Sequence, residues 1–230
     1  MPFLQSLLNS TLHLFYPHVC TGCGSDVLSS DNQLCPDCME SLPRTRFGFF
    51  YGNPIEKYFW GRIPLAAAHS EFYFAKGGLV QQLIHQLKYK SNLEIGLYLG
   101  RLTGHTLLQT GRFTAVEGII PLPLYPDKER QRGYNQATII SRGLSDIMNV
   151  PVLEHIVTRQ RHTETQTRKH RSERWQNVDR SFSVKEKTNR HFLLVDDVVT
   201  TGATLEACGS ALLQAGAASL SIVTLAHADK

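Results

Sequence analysis

The sequence of 230 residues lacks the features of membrane and fibrous proteins. No uninterrupted apolar run reaches the ~20 residues that a membrane-spanning helix needs, and no internal repeat or low-complexity segment is present. Residues 1–20 contain neither the basic segment nor the small-residue cleavage site of a secretory signal, so we expect a cytoplasmic protein without membrane insertion. With 42% hydrophobic and 19% charged residues, a collagen-like, coiled-coil or wholly disordered chain is excluded.

Several common catalytic motifs are also absent from the sequence. There is no G-x-x-x-x-G-K-[ST] segment, so an ATPase reaction has no support. The patterns G-x-G-x-x-G, H-E-x-x-H and G-x-S-x-G do not occur either. The sequence therefore gives no sign of a dinucleotide fold, a zinc protease or a serine hydrolase.

Positive charge is concentrated in one window of the chain. The formal net charge is only +4, which by itself does not indicate nucleic-acid binding. Between Arg159 and Arg174, six cations stand against two anions, so this window alone carries a net +4. It contains no Val, Ile, Leu, Phe or Met. Such a segment is either a solvated run of charge or a mobile loop that meets an anionic ligand.

Four of the five cysteines lie close together in two C-x-x-C pairs. Eleven residues separate Cys20-Thr-Gly-Cys23 from Cys35-Pro-Asp-Cys38, a spacing that lets four thiolates close around one tetrahedral zinc ion. Four protein ligands leave no open position, so we predict a structural zinc site. Two disulfides or a redox pair are the alternatives, and both fit poorly with a chain that has no export signal. Cys208 is predicted to be a buried small hydrophobic residue.

The order of hydrophobic patterns predicts an α/β protein. Helical spacing of apolar residues predicts helices over residues 3–15, 78–88, 93–108, 137–148 and 203–215. Short apolar runs predict strands over residues 65–74, 116–122, 152–157, 182–184, 191–199 and 220–225. We interpret residues 39–64 as a connector and 123–136 as a loop, and the alternation in the second half predicts a parallel sheet covered on both faces. The first helix is expected to pack on the cysteine module or the main domain, with a membrane-surface helix as the alternative.

The segment from Leu193 to Thr204 carries the clearest chemical signal. A buried strand runs into two adjacent acids, Asp196 and Asp197, and then into three threonines around Gly202, where a helix begins. Ligands of parallel sheets bind beyond the carboxyl ends of the strands, and a helix N-terminus favours phosphate. Carboxylates beside such a turn can accept hydrogen bonds from vicinal sugar hydroxyls. The pattern predicts a site for a ribose 5-phosphate group; a plain strand with a threonine-capped helix is the alternative.

This segment closely resembles the motif with which type I phosphoribosyltransferases bind 5-phosphoribosyl 1-pyrophosphate (PRPP). The whole sequence is similar to one family of that superfamily, the ComF family of ComFC and GntX-like proteins. The resemblance rests on the four cysteines, Leu87-Lys88-Tyr89, Ile120-Pro-Leu-Pro-Leu124, Arg132-Gly-Tyr-Asn-Gln136 and the acidic motif. It implies an α/β, parallel-sheet type I phosphoribosyltransferase-like core over residues 111–230, a small N-terminal zinc-binding module within residues 1–42, and a connector with a variable, hood-like helical region over residues 43–110.

The resemblance also implies roles for individual residues. Asp196 and Asp197 would hold the ribose hydroxyls, and Pro121 to Gln136 would form the pyrophosphate loop. The 5-phosphate would be cradled by Thr200, Thr201, Gly202, Ala203 and Thr204. Pyrophosphate ligands would come from Arg130, Arg132, Asn135 and Gln136. The basic window over residues 159–175 would be the flexible loop that closes over the site. The T-x-x-Q…R…N run of ComF-like sequences is matched there by Thr165, Gln166, Arg168, Arg171 and Asn177. Mg²⁺ would accompany PRPP, with Asp196, Asp197 and Arg132 as the catalytic residues; a turn-stabilising role for Arg132 and Asn135 is the alternative.

Three functions remain open from the sequence. The first is a phosphoribosyltransferase that uses Mg²⁺ and PRPP with an unknown acceptor. The second is a competence factor for DNA uptake that binds single-stranded DNA and docks a helicase through the zinc knuckle; the third is a module that binds PRPP only as a regulatory ligand. The acceptor region, residues 39–75, has no interpretable pattern. Its aromatic residues either stack on a base or cover the core: Phe49, Phe50, Tyr51, Tyr58, Phe59 and Trp60.

Overall fold

A four-stranded parallel sheet forms the centre of the molecule. The computed structural model describes residues 19–26, 28, 32–160 and 181–228. The strands are β1 (Ala67–Tyr73), β2 (Gly118–Pro121), β5 (His191–Val199) and β6 (Ser219–His227), in the order β1-β6-β5-β2. A separate antiparallel pair consists of β3 (Val157–Arg159) and β4 (Phe182–Val184). The parallel α/β class predicted from the sequence is therefore confirmed.

Seven α-helices and one 3-10 helix accompany these strands in the described part of the chain. They are α1 (Pro36–Glu40), η1 (Phe47–Phe49), α2 (Pro54–Phe59), α3 (Leu79–Tyr89), α4 (Leu93–Thr110), α5 (Pro126–Arg132), α6 (Gln136–Met148) and α7 (Ala203–Gln214). Among these residues no helix is both long and apolar enough to cross a membrane.

The sheet is buried on both faces. Successive residues of β5 point to opposite sides, so Leu193 and Val195 join one core while Phe192 and Leu194 join another. The first core includes α3, α4 and α6, and the second includes α2 and α7. A continuous apolar strand such as β5 is typical of a parallel sheet that is covered on both faces.

Helices α4 and α6 approach each other closely at two glycines. A Cβ atom added to Gly100 would lie 2.3 Å from the carbonyl oxygen of Ile140, and one added to Gly143 would lie 2.2 Å from that of Leu97. Neither position can therefore carry a side chain without moving a helix. This contact fixes α6, and hence the loop between β2 and α6, against the rest of the fold.

The open edge of β1 is covered by a short extended segment that precedes η1. Arg44 bridges Phe72 in antiparallel orientation, with hydrogen bonds from Thr45 N–H to the Glu71 carbonyl (2.9 Å) and from Tyr73 N–H to the Pro43 carbonyl (2.8 Å). Behind this edge, Glu71 is fully buried and accepts hydrogen bonds from His69 and Thr106. The segment pairs with backbone N–H and C=O groups of β1 that an uncovered edge strand would leave without partners.

Most predicted elements are present, and two predictions are wrong. The loop predicted over residues 123–136 contains α5, because Pro126 at its first position and the charged residues after it form a short exposed helix. The strand predicted over residues 152–157 is reduced to a single bridge at Val152, and the strand β3 begins only at Val157. The first sheet strand comes from the region predicted to be hood-like, while the domain bounds themselves stay a prediction. The helix predicted over residues 3–15 lies outside the described residues.

Candidate functional site

The two acids of the motif lie at the carboxyl end of β5. Asp196 accepts a hydrogen bond at Oδ1 from the backbone N–H of Asp197 (2.8 Å). Asp197 is 9% exposed, and its Oδ2 lies 2.7 Å from Nζ of Lys88, which extends from the last turn of α3. Each carboxylate has two oxygens with several acceptor sites, so contacts with these described partners leave further sites for a ligand.

The environment of Asp196 favours its protonated form. Burial, followed by the negative charge of Asp197, raises the pKa of Asp196 to about 7, from 3.8 for a free aspartate. The backbone N–H of Asp197 and the positive charges of Lys88 and Arg159 act in the opposite direction. A strongly perturbed carboxyl at the end of a parallel strand is typical of a functional site.

The segment predicted to bind phosphate forms the turn from β5 into α7. Thr200 and Thr201 are exposed, and Gly202 occupies the N-cap position with φ of +73°. An L-residue disfavours this conformation, and a Cβ atom on Gly202 would also lie 3.0 Å from the ring of Phe59. At this helix start the Ala203 N–H donates a long hydrogen bond to Thr201 Oγ1 (3.4 Å). An exposed helix N-terminus that begins at a glycine, without a capping side chain at that position, favours binding of an anion.

The predicted pyrophosphate loop follows β2, the strand beside β5. Arg132 donates to Gln136 Oε1 and its guanidinium lies 5.5 Å from the ring centroid of Tyr89. Asn135 caps α6: its Oδ1 accepts from the Ala137 N–H and its Nδ2 donates to the Leu122 carbonyl. Arg130 is exposed and pairs with Asp127 inside α5. The loop therefore lies on the strand next to the acids, while pyrophosphate binding by these four residues stays a prediction.

Three cations near the site have no individually predicted role, although Arg159 begins the basic window of residues 159–175. Lys88 contacts Asp197, and it belongs to the Leu87-Lys88-Tyr89 segment that carries the resemblance. Arg62 forms an ion pair with Glu206 in the first turn of α7 (3.1 Å). Arg159 stacks on Tyr125, with its Cζ atom 3.8 Å from the ring centroid. No local pattern marks Arg62, because its partner lies more than a hundred residues away.

The predicted flexible-loop residues cannot be placed in the structure. Residues 161–180 lie outside the described part of the chain. This range contains Thr165, Gln166, Arg168, Arg171 and Asn177, whose roles stay predictions. The strands β3 and β4, which flank this range, pair with each other, and the Gln160 N–H donates a hydrogen bond to the Ser181 carbonyl (3.0 Å).

The four N-terminal cysteines form a compact cluster. Their Sγ atoms all lie within 4.8 Å of one another, and Cys23 Sγ is 3.6 Å from Cys35 Sγ. Zinc–sulfur bonds of 2.3 Å in a tetrahedron place neighbouring sulfurs about 3.8 Å apart, whereas a disulfide requires about 2.05 Å. The cluster could therefore hold a metal ion such as zinc. Cys208 is fully buried, as predicted.

Backbone donors prepare one of these sulfurs to bind as a thiolate. Burial raises the pKa of Cys20, but hydrogen bonds from the backbone N–H groups of Cys35, Cys23 and Gly22 outweigh it and lower the pKa to about 6. Burial raises the pKa of Cys38 above the usual range of a thiol. Cys20, Cys35 and Cys38 belong to the same buried cluster as Val80 and Leu83 of α3, so the module packs directly on the main core.

A separate cleft lies between η1 and α4. Its volume is about 700 Å³. Phe49 and Phe50 are each about half exposed at its wall, and Arg46 is an exposed cation with φ of +58°. The full lining is Arg44, Arg46, Phe49, Phe50, Glu71, Leu102, His105, Thr106 and Gln109. Of the aromatic residues considered from the sequence, Phe59 covers the core, whereas Phe49, Phe50, Tyr51 and Trp60 are exposed.

The parallel sheet, the acid pair and the adjoining helix N-terminus define a phosphoribosyltransferase-like protein. In agreement, the family model described as "Phosphoribosyl transferase domain" matches residues 131–230. This range includes the acids, the turn into α7 and part of the loop after β2. The match thus covers the residues on which the site is built.

Curated proteins extend the similarity to nearly the whole chain. DNA utilization protein YhgH of Escherichia coli (strain K12) is 31% identical over 227 residues, covering 96% of each chain. Competence protein F of Haemophilus influenzae is 28% identical over 233 residues, 93% of this chain and 99% of that protein. Competence protein ComFC of Bacillus subtilis is 25% identical over 216 residues, 90% of this chain and 77% of that protein. The chain belongs to the ComF family.

Proposed function

We propose that this protein binds PRPP together with Mg²⁺ at the carboxyl end of β5. The observation that carries the proposal is the placement of a carboxylate pair directly before an exposed helix N-terminus. The carboxylates of Asp196 and Asp197 accept hydrogen bonds from the ribose hydroxyls, and the turn from Thr200 to Thr204 receives the 5-phosphate.

The pyrophosphate of PRPP would lie towards the loop after β2. That loop comes from the strand adjacent to β5. It contains Arg132 and also Tyr125, on which Arg159 stacks, and the charge of Arg159 acts on Asp196. Mg²⁺ takes oxygen ligands and is commonly held by a carboxylate together with phosphate groups, so the donor set fits this ion. When bound, it supplies positive charge that screens the leaving pyrophosphate.

Calorimetric titration of PRPP with Mg²⁺ tests the proposal. We expect binding to the wild type and its loss in the Asp196→Asn, Asp197→Asn double variant. A matched control removes two negative charges elsewhere, by Asp146→Asn and Glu154→Gln, both of which take part in surface ion pairs. Absence of binding to folded wild-type protein would contradict the proposal, and so would equal loss in the control. Release of pyrophosphate with candidate acceptors then separates transfer from binding.

The role of the protein in the cell is proposed to be DNA uptake during natural transformation. The names of the relatives, which contain "competence" and "DNA utilization", support this. A second candidate function, a non-catalytic competence factor that binds single-stranded DNA, is favoured by the cleft beside η1. Phe49 and Phe50 offer ring faces on which bases stack, and Arg46 offers a cation for the backbone. Tyr51 extends this surface, with the guanidinium of Arg112 4.0 Å from its ring centroid.

Fluorescence anisotropy with a labelled oligothymidine tests the DNA proposal. We expect affinity that falls with added salt, and a loss of about tenfold in the Phe49→Ala, Phe50→Ala double variant. Trp60→Ala is the matched control, because Trp60 is exposed but does not line the cleft. Binding that is insensitive to salt and to the double variant would contradict a stacking site here.

The cysteine cluster is proposed to hold a structural Zn²⁺ and to dock a helicase-type partner. Its packing on α3 supports a module whose metal stabilises the fold. A Cys20→Ser variant is expected to lose zinc and the partner while PRPP binding survives. Loss of PRPP binding in a folded Cys20→Ser variant would contradict this division of roles.

A further inference from the structure

The end of helix α3 is fixed against the candidate sugar site by several contacts. Leu87 is fully buried, and its carbonyl oxygen accepts a hydrogen bond from the Tyr134 hydroxyl in the loop after β2. Tyr89 lies beneath the guanidinium of Arg132 from the same loop. Lys88 stands between these two residues, so its backbone is held in place on both sides. A cation in the last turn of a helix is also favoured by the helix dipole.

The ammonium group of Lys88 is placed directly on one of the two acids. Its Nζ lies 2.7 Å from Asp197 Oδ2, with the lysine side chain 23% exposed and that of the aspartate 12% exposed. An ammonium group has three N–H donors, and the contact with Oδ2 uses one of them. The partial exposure of the side chain leaves the group accessible from the site. Lys88 therefore brings a cation and free donors to the carboxylate that would hold a sugar hydroxyl.

We infer that Lys88 is a specificity-determining residue, which recognises the anionic substituent at C1 of the sugar while it holds Asp197 in place. This inference rests on the proposed binding of PRPP. The residues on either side of Lys88 contact the loop that is proposed to receive the pyrophosphate, so a cation on Asp197 lies between the proposed sugar site and that loop. The ammonium of Lys88 thus bridges Asp197 and the pyrophosphate group. The site then requires a ligand that carries both a diol and a neighbouring anion.

A purely structural role predicts a different outcome. If the ion pair only fastens α3 to β5, its removal lowers stability and weakens all sugar phosphates equally. If Lys88 reads the C1 anion, its removal selectively weakens PRPP. Ribose 5-phosphate is the matched ligand, because it retains the diol and the 5-phosphate but lacks the pyrophosphate.

The test compares the dissociation constants of PRPP and ribose 5-phosphate in wild type and in Lys88→Met. A hydrogen bond to a charged group accounts for about 10- to 100-fold in affinity, so we expect PRPP to weaken by that factor. The affinity for ribose 5-phosphate is expected to change by less than about threefold, since this ligand lacks the anionic group at C1 that Lys88 would contact. Lys90→Met is the control, since Lys90 is exposed and makes no ion pair with another described residue.

Thermal unfolding establishes that each variant is folded. Lys88→Gln, which keeps a neutral donor for Asp197, serves as the second variant and is expected to lose the same preference for PRPP. An unchanged ratio of the two dissociation constants in both folded variants would overturn the inference while leaving PRPP binding intact. Failure of both ligands to bind the wild type would overturn the proposed function and this inference together.

Discussion

Replacing Asp196 with asparagine is expected to stabilise the folded protein at alkaline pH. The folded state raises the pKa of this carboxyl to about 7, through burial and the charge of Asp197, whereas a free aspartate has a pKa of 3.8. Above pH 7 the folded protein must hold the ionised form in a site that disfavours it. Asparagine has the same shape but carries no charge, so the variant avoids the free-energy cost of burying an ionised carboxylate. Asp196, which is placed for ligand binding, is therefore expected to lower the stability of the wild type.

The size and direction of the effect follow from proton linkage. Between pH 3.8 and about 7 the folded state retains a proton that the unfolded chain has released, so the stability of the wild type falls as pH rises. The slope is at most about 1.4 kcal/mol per pH unit, which gives an upper limit of about 4 kcal/mol above pH 7. Asp196 is partly exposed, and solvent screening reduces the expected gain to about 1–2 kcal/mol.

Urea unfolding at several pH values between 4 and 8 measures this difference. The advantage of Asp196→Asn is expected to be small at pH 4, to grow up to about pH 7 and then to level off. Asp146→Asn is the control, because it removes the same kind of carboxylate from an exposed ion pair with Arg101 that contributes little to stability. A destabilised Asp196→Asn variant at pH 8, or a difference independent of pH, would refute the reasoning.

Three other perturbations test separate parts of the structure. Gly202→Ala should lower stability by about 1–2 kcal/mol and weaken PRPP binding, as measured by urea unfolding and calorimetry. Gly61→Ala, which also has positive φ but open space around it, should leave binding unchanged. Atomic absorption should find about one zinc ion per chain in the wild type and well below one in Cys35→Ser. Retention of zinc in that variant would contradict a four-cysteine metal site. The control variant Cys208→Ala should bind as much zinc as the wild type. Arg112→Gln should lower the free energy of unfolding by about 3 kcal/mol, because it leaves the buried carboxylate of Glu56, 2.6 Å from the Arg112 guanidinium, without its cation. An unchanged midpoint of urea unfolding would count against a stabilising role of that ion pair.

The features that the sequence predicts well are those encoded in a short stretch of chain. The strand before Asp196, the glycine at the helix start and the C-x-x-C spacing each depend on neighbouring residues alone. Their positions agree with the structure because one strand, one turn and one metal cluster need few distant partners. The helix α5 was missed because a short exposed helix buries too little to leave an apolar pattern.

The features that the sequence does not predict depend on distant contacts. The pairing of Lys88 with Asp197 joins residues that are far apart in the chain, and so does that of Arg62 with Glu206. Of the strand predicted over residues 152–157, Val152 bridges the parallel sheet at Ile119, whereas Val157 pairs with Val184 in the separate antiparallel pair. The cleft beside η1 forms only because residues 44–50 pack near α4. Tertiary packing decides each of these outcomes.

Amide hydrogen exchange in the presence of PRPP and Mg²⁺ tests the central claim most directly, because it locates the ligand as well as detecting it. We expect added protection over residues 200–204 at the start of α7 and over the loop after β2. Residues 49–51 beside the separate cleft should exchange as before. Protection confined to the cleft, or no change at the start of α7, would contradict a phosphorylated sugar seated at the end of β5.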